Sequence, residues 1–88
     1  MAIYVDFVCI EFRGYQWCHM LADSLQELHE FAAFIEVDQR LFHRTASYPH
    51  YDVTLQMREI ALENGAIAAT RKQIIDSAKK LKIELNSF

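Results

Sequence analysis

Apolar and polar positions near the start of the chain predict a strand over residues 2–10. Its apolar residues occupy both faces, with Ile3, Val5, Phe7 and Cys9 on one and Tyr4, Val8 and Ile10 on the other. A strand that is apolar on both faces is typical of a sheet covered on both sides. Asp6 is the only charged residue in the run, so its carboxylate needs a partner or a cleft. Arg13-Gly14 then predicts a turn, after which residues 15–21 continue as extended chain.

Three later segments carry helical patterns with recognisable ends. Ser24 and Glu27 form a capping box for a first helix that runs to about Ile35. Asp52 or Thr54 caps a second helix, which stops at Asn64-Gly65. A third helix opens at a second capping box and carries the cleanest apolar stripe: Thr70 and Gln73 form the box, and Ile74, Ile75, Ala78, Leu81 and Leu85 form the stripe.

The remaining segments complete the predicted order of elements. Residues 37–48 show no regular pattern, and the short apolar run 66–69 predicts a second strand. We therefore expect one α/β domain over residues 1–88, with a small, mostly parallel sheet packed by three helices and at least one parallel pair; an α+β arrangement is the alternative. A chain of 88 residues leaves no room for a second core, and 52% hydrophobic residues also favour a homo-oligomer with an apolar interface.

Charge and cysteine content narrow the classes of partner. A net charge of −3 makes nucleic acid an unlikely partner, since proteins that coat it usually carry a basic face. Two cysteines are too few for a disulfide scaffold, and the apolar N-terminal run lacks a basic leader and is too short to span a bilayer. These features predict a cytoplasmic protein that does not enter membranes.

Histidines and aspartates are concentrated in residues 17–23, 27–29 and 49–52, which suggests one polar site. Two of these stretches lead into predicted helices, and a rigid turn at 50–52 would deliver its side chains to a helix N-terminus, where anions bind. Arg58 would add a bidentate contact, and we expect it to share a cleft with His50. The predicted ligand-binding residues are His19, Asp23, His29, His50, Tyr51, Asp52 and Arg58.

Structural roles explain several of these residues equally well. Asp23 and Asp52 lie where helix caps belong, and His29 and Tyr51 fit a core with their polar atoms hydrogen-bonded. Cys18 beside His19 does not form a catalytic dyad, because neighbours in extended chain point to opposite faces. No cofactor is favoured, although a divalent metal would take His19, Asp23, His50 and Asp52 as ligands. The common nucleotide, hydrolase and protease motifs are absent.

Several spaced motifs resemble one small bacterial and phage family, the domain of unknown function 4031. They are Ile3 to Asp6, Cys18 to Met20 with Ala22-Asp23, Leu25 with Glu27 to His29, and Pro49 to Asp52 with Arg58, Ala61 and Gly65-Ala66. The chain departs from the family pattern at residues 36–38, where a glycine commonly ends the first helix, and at Phe7, where a second acid often follows. The resemblance implies a short stand-alone protein, often encoded by phages, and no established activity.

Three functions fit these residues. The first is a non-catalytic protein that binds a small anionic, nucleotide-like ligand and sequesters a host signalling nucleotide. The second is a metal-dependent hydrolase or nuclease with His29 as base. The third is an interaction module in which the polar groups are caps and satisfied core residues. No motif dictates a reaction, and the first function is the expectation.

Overall fold

The computed structural model describes residues 2–8, 10–44 and 48–87. Within these residues the chain forms three helices and a six-stranded sheet. The strands are β1 (Ile3–Val5), β2 (Ile10–Phe12), β3 (Tyr15–Ala22), β4 (Phe42–His43), β5 (His50–Thr54) and β6 (Ile67–Ala68). The helices are α1 (Leu25–Phe34), α2 (Leu55–Glu63) and α3 (Arg71–Leu85), and a short 3-10 turn covers Gln39–Leu41.

The sheet is mostly antiparallel, and the fold is α+β. The strand order is β4-β5-β3-β1-β6, with β2 also paired to β3, and only β1 and β6 run parallel. The prediction of a mostly parallel sheet was wrong, while the expected parallel pair is present. A hairpin accounts for the antiparallel pairing of β2 with β3, because Arg13 and Gly14 adopt positive φ values of 52° and 83° and turn the chain back on itself. Two-residue turns of this kind join antiparallel strands.

The single strand predicted over residues 2–10 is divided into β1 and β2. Both pair with β3, but the chain between them is longer than the stretch of β3 that it faces, so it leaves the ladder there. Phe7 is 67% exposed and Val8 is 53% exposed, so the expected second covering layer is missing at this point. Cys9 lies outside the described residues.

The helix ends follow the predicted signals closely. Ser24 accepts a hydrogen bond from the Glu27 amide, and Thr70 forms its capping box with Gln73. The second helix is capped by Thr54, which leaves the Asp52 carboxylate free of a capping role. Glu36 follows α1 with a φ of 62°, a left-handed conformation that glycine adopts more readily.

The strands β3 and β5 divide their side chains between two faces. Cys18, Met20, Tyr51 and Val53 form one face and are buried in the core. The His29 side chain of α1 reaches Tyr51, so this face is covered by α1. The other face presents polar side chains instead, and it holds the candidate site described below. Among the described residues, no helix has both the length and the apolar character needed to cross a membrane.

Candidate functional site

Pairing of β3 with β5 brings the first two groups of the site together. His19 lies directly opposite Asp52 in the antiparallel register, so both side chains leave the sheet on the same face. His50 is two residues before Asp52 on β5 and therefore shares that face. The prediction of a turn at residues 50–52 was wrong, because these residues are extended chain. Extension is what aligns His50 with Asp52 and sends Tyr51 to the opposite face.

His43 joins this group from β4. It pairs with His50 across the two strands, and their rings stack with centroids 5.3 Å apart. Its Nε2 lies 2.7 Å from Oδ2 of Asp52, while the imidazole remains about half exposed. The His19 ring meets the His50 ring edge to face at 4.8 Å. Three imidazoles and one carboxylate therefore form a continuous cluster.

His19, His50 and Asp52 each offer one ligand atom, and these three atoms lie within 4.8 Å of one another. Bonds of about 2.0–2.2 Å to a common ion would place neighbouring ligand atoms roughly 2.8–3.6 Å apart, and a small side-chain rotation closes the difference. Two imidazoles and a carboxylate form a common donor set for first-row divalent metals. The group fits such an ion with coordination positions to spare.

Asp6 orients His19 from behind. Its Oδ2 lies 2.7 Å from Nδ1 of His19, and its Oδ1 accepts the His19 backbone N–H at 2.8 Å. The hydrogen bond to Asp6 raises the pKa of His19, against the opposing effect of burial. Because Nδ1 carries the proton donated to Asp6, Nε2 is the nitrogen left for a ligand. A carboxylate behind a ligating histidine is the usual outer partner in metal sites.

The hydrogen bond that orients the His50 ring leaves its second nitrogen facing another acceptor. Its Nδ1 donates to the Tyr48 carbonyl at 2.9 Å, so Nε2 of the neutral ring carries only a lone pair. That Nε2 lies 3.1 Å from Oδ1 of Asp52, which is also an acceptor. Burial lowers the pKa of His50 and so disfavours the imidazolium that would relieve the contact. A cation between the two atoms would turn this repulsion into attraction.

Arg58 is buried and contacts the site through the backbone of Asp6. Its Nε donates to the Asp6 carbonyl at 2.9 Å, and its guanidinium carbon lies 4.5 Å from the centre of the Phe7 ring. The side chain is buried, and one terminal nitrogen, Nη2, has no hydrogen-bond partner among the described residues. Arg58 does not line the cleft that contains His50 and instead holds the backbone of Asp6.

The other predicted site residues lie apart from the cluster. Asp23 accepts a hydrogen bond from the Tyr4 hydroxyl at 3.0 Å and falls outside the three-residue metal group. His29 and Tyr51 are hydrogen-bonded to each other at 2.8 Å on the opposite face of the sheet. Burial lowers the pKa of His29 and raises that of Tyr51. The pair therefore agrees with the alternative prediction that His29 and Tyr51 are core residues with hydrogen-bonded polar atoms.

A cleft of about 480 Å³ opens over the cluster. His19, His43, His50 and Asp52 line its polar part. Ile10, Phe12 and Trp17 of the β2–β3 hairpin form one apolar wall, and Arg40 and Leu41 of the 3-10 turn complete the lining. This volume lies within the usual range for small-molecule sites, which is about 300–1,000 Å³.

A family model described as a protein of unknown function, DUF4031, matches residues 3–81. The chain belongs to this family. The resemblance seen in the spaced motifs is thereby confirmed over most of the 88 residues of this DUF4031 protein. No curated protein and no solved structure matches the chain.

Sequence reasoning missed several residues that the fold brings to the site, among them Asp6, His43, Phe12 and Trp17. Asp6 carried a signal, since a lone acid in an apolar strand needs a partner, but nothing in the pattern named His19 as that partner. His43 lay in a segment without regular periodicity. Phe12 and Trp17 were assigned no role in the site, because an aromatic residue near a turn gives no sign of which surface it lines.

Proposed function

We propose that this DUF4031 protein binds a divalent first-row metal ion through His19, His50 and Asp52 and hydrolyses a small phosphoester with it. One observation carries the proposal. The Nε2 atom of His50 faces the Oδ1 atom of Asp52 at 3.1 Å while Nδ1 is already committed to a carbonyl. Two buried or half-buried acceptors at that separation are unfavourable by themselves and suited to an ion between them.

The neighbouring groups support an ion with catalytic rather than structural use. Three protein ligands leave coordination positions open, as in metal sites that take water and substrate. Asp6 and the Tyr48 carbonyl hold the two imidazoles from outside, which is the support that ligating histidines need. The ligands also line an open cleft, so a substrate can reach the ion.

Phosphoester hydrolysis suits this arrangement chemically. The bound ion would supply a polarised phosphoryl oxygen and a more acidic water. In the reaction the water oxygen forms a bond to phosphorus, the bond from phosphorus to the leaving oxygen breaks, and one water proton ends on that leaving oxygen. His43 is half exposed in the cleft, with its Nε2 atom 2.7 Å from Oδ2 of Asp52, which places it to carry that proton.

The sequence predicted an anionic ligand that is bound and not turned over. The proposed function places that ligand at a different position and has it hydrolysed. The phosphate would bind at the sheet face through the ion, and not at two helix N-termini. His29 is hydrogen-bonded to Tyr51 on the opposite face of the sheet, so His43 and not His29 would carry the proton. Sequestration without turnover remains the rival function, and the activity measurement below decides between them.

Metal content is the first test. Protein purified without a histidine tag and dialysed against zinc or manganese should retain close to one equivalent of ion. Asp52→Asn should lose most of that ion, whereas the matched change Asp23→Asn should not, because Asp23 lies outside the ligand group. Wild-type protein that retains less than a tenth of an equivalent would contradict the proposal.

Turnover is the second test. The metal-loaded wild type should hydrolyse p-nitrophenyl phosphate or bis(p-nitrophenyl) phosphate, and Asp52→Asn should reduce the rate at least a hundredfold, in line with the loss of a ligand that holds the reacting ion. Asp23→Asn again serves as the control and should keep the wild-type rate. Loaded protein that binds phosphoesters without hydrolysing any of them would favour sequestration.

A further inference from the structure

The cleft extends beyond the metal ligands along an apolar wall that the proposed chemistry does not use. Ile10, Phe12 and Trp17 form this wall, which we call the hairpin wall. Ile10 is 51% exposed and Phe12 is 58% exposed, so both remain open to solvent in the folded chain. Aromatic groups left exposed beside a polar centre commonly mark the part of a site that binds a ligand's apolar portion.

The indole of Trp17 offers its ring face and not its polar edge. Its Nε1 donates to the Phe12 carbonyl at 3.1 Å, which satisfies the only hydrogen-bonding atom of the ring. The same bond ties β3 to β2 and limits rotation of the indole. A ligand that meets Trp17 therefore meets a flat, fixed aromatic surface.

Arg40 supplies a second flat group to the same cleft. Asp38 holds its guanidinium through several contacts, including Nη2 to Oδ2 at 2.8 Å and Nε to Oδ1 at 3.2 Å. The hydrogen bonds from Arg40 lower the pKa of Asp38 to about 2, so the carboxylate stays charged at every physiological pH. A guanidinium held in this way is well suited to stack on a planar, electron-rich ring. It is poorly suited to line a channel for an aliphatic chain.

The distance from the hairpin wall to the proposed metal ligands matches the distance between the base and the phosphate of a nucleotide. Trp17 and His19 are two residues apart on β3, on the same face, which corresponds to about 6–7 Å along the strand. A pentose spans a gap of this order between a phosphate and its base.

We infer that the site takes a nucleotide, with the phosphate at His19, His50 and Asp52 and the base stacked against Phe12 and Trp17 in the cleft that Arg40 also lines. This inference rests on the proposed function and names its substrate class. Tyr51, which the sequence also predicted to bind the ligand, takes no part, because its ring is buried on the opposite face of the sheet.

Binding measured before appreciable hydrolysis tests the proposed base-binding site separately from turnover. The probes are adenosine 5′-monophosphate and ribose 5-phosphate, which share the sugar and phosphate and differ in the base. In zinc-loaded protein, calorimetry should show roughly 5- to 150-fold tighter binding of the nucleotide, which corresponds to the about 1–3 kcal/mol that stacking of one base contributes. Trp17 is the only tryptophan of the chain, so its fluorescence should change with the nucleotide and not with the sugar phosphate.

Substitutions in the hairpin wall test where the base binds. Trp17→Ala and Phe12→Ala should each remove most of the nucleotide's advantage over ribose 5-phosphate while leaving the affinity for ribose 5-phosphate unchanged. Phe34→Ala is the matched control, because Phe34 is 71% exposed on α1 and does not line the cleft. Arg40→Lys keeps the charge but loses the planar group, so it should also reduce the advantage.

The outcomes distinguish a failure of the base-binding site from a failure of the proposed phosphoester hydrolysis. The proposed base-binding site would be overturned if the wild type bound the two probes with equal affinity, even if it hydrolyses phosphoesters. It would also be overturned if the nucleotide preference survived both aromatic substitutions. A nucleotide preference that depends on Phe12 and Trp17 would support the base-binding site even if no hydrolysis occurs, and the hydrolase proposal alone would then fail.

Discussion

His50 and Asp52 lie two residues apart on one strand with an imidazole nitrogen and a carboxylate oxygen facing each other at 3.1 Å. The other imidazole nitrogen donates to the Tyr48 carbonyl, so no proton of the neutral ring is available for Asp52. The arrangement is locally unfavourable without a cation and becomes favourable with one. Under the proposed function, this contact predicts that several properties of the protein depend on metal.

Metal should stabilise the wild type and not Asp52→Asn. An ion that binds only the folded chain adds about 2.7 kcal/mol to the free energy of unfolding at a free concentration of 100 times its Kd. Asp52→Asn removes a ligand and also allows an amide N–H to donate to Nε2 of His50. Thermal unfolding with zinc and with chelator should therefore show a large shift for the wild type and almost none for the variant. A variant shifted as much as the wild type would remove Asp52 from the ligand set.

Asp6→Asn should weaken metal binding without removing a ligand. The carboxylate of Asp6 holds Nδ1 of His19 at 2.7 Å, and loss of such an outer partner typically costs about 10–100-fold in metal affinity. Competition with a chromophoric chelator measures the affinity directly. Asp38→Asn is the matched control, since Asp38 pairs with Arg40 away from the ligands. Unchanged affinity in Asp6→Asn would show that His19 does not depend on Asp6 for its orientation.

Arg58→Ala should destabilise the protein more than Arg58→Met. Both changes remove the hydrogen bond to the Asp6 carbonyl, which is worth about 1–3 kcal/mol for a charged donor. Methionine still fills the buried volume and removes Nη2, which has no partner among the described residues, whereas alanine leaves a cavity. Urea unfolding of the two variants tests the order. If the alanine variant is the more stable one, the volume occupied by Arg58 does not contribute to packing.

Stability should fall at acidic pH partly because of His29. Burial lowers the pKa of His29 below its ordinary value of 6.5 in the folded chain. The unfolded chain then binds more protons as the pH drops through 6.5, so the free energy of unfolding decreases until the pH lies below the folded pKa. His29→Gln keeps a partner for the Tyr51 hydroxyl but does not titrate.

The comparison needs metal-free protein, because His19 and His50 also titrate. Both remain in the variant, so their contributions cancel when the two proteins are compared. Urea unfolding at pH values on either side of 6.5 should show a smaller acid-induced loss for His29→Gln than for the wild type. Equal losses would mean that His29 binds its proton equally well in the folded and unfolded chains.

Glu36→Gly should stabilise the fold. Glu36 has a φ of 62°, a left-handed conformation that costs an L-residue about 1–2 kcal/mol. Glycine avoids that cost and gives back about 0.5–1 kcal/mol through the greater entropy of its unfolded chain. The expected gain is therefore up to about 1 kcal/mol in chemical unfolding. Glu30→Gly, inside α1 and exposed, should have the opposite sign.

The amino-acid sequence by itself determined the local elements of this protein. The N-cap at Ser24, the capping box at Thr70, the stop at Asn64-Gly65 and the turn at Arg13-Gly14 all lie where the sequence placed them. Each depends on a side chain or a backbone angle within a few residues. The motifs also identified the family, and they included His19, His50 and Asp52, whose candidate ligand atoms the structure brings within 4.8 Å of one another.

Only the tertiary structure decided which of those residues meet. The register of β3 on β5 puts His19 opposite Asp52, and a shift by one residue would send Asp52 to the core face in place of Tyr51. Register depends on packing of the whole sheet, which no local pattern encodes. The same is true of Asp6, whose partner lies 13 residues away, and of Arg58, which reaches Asp6 across 52 residues.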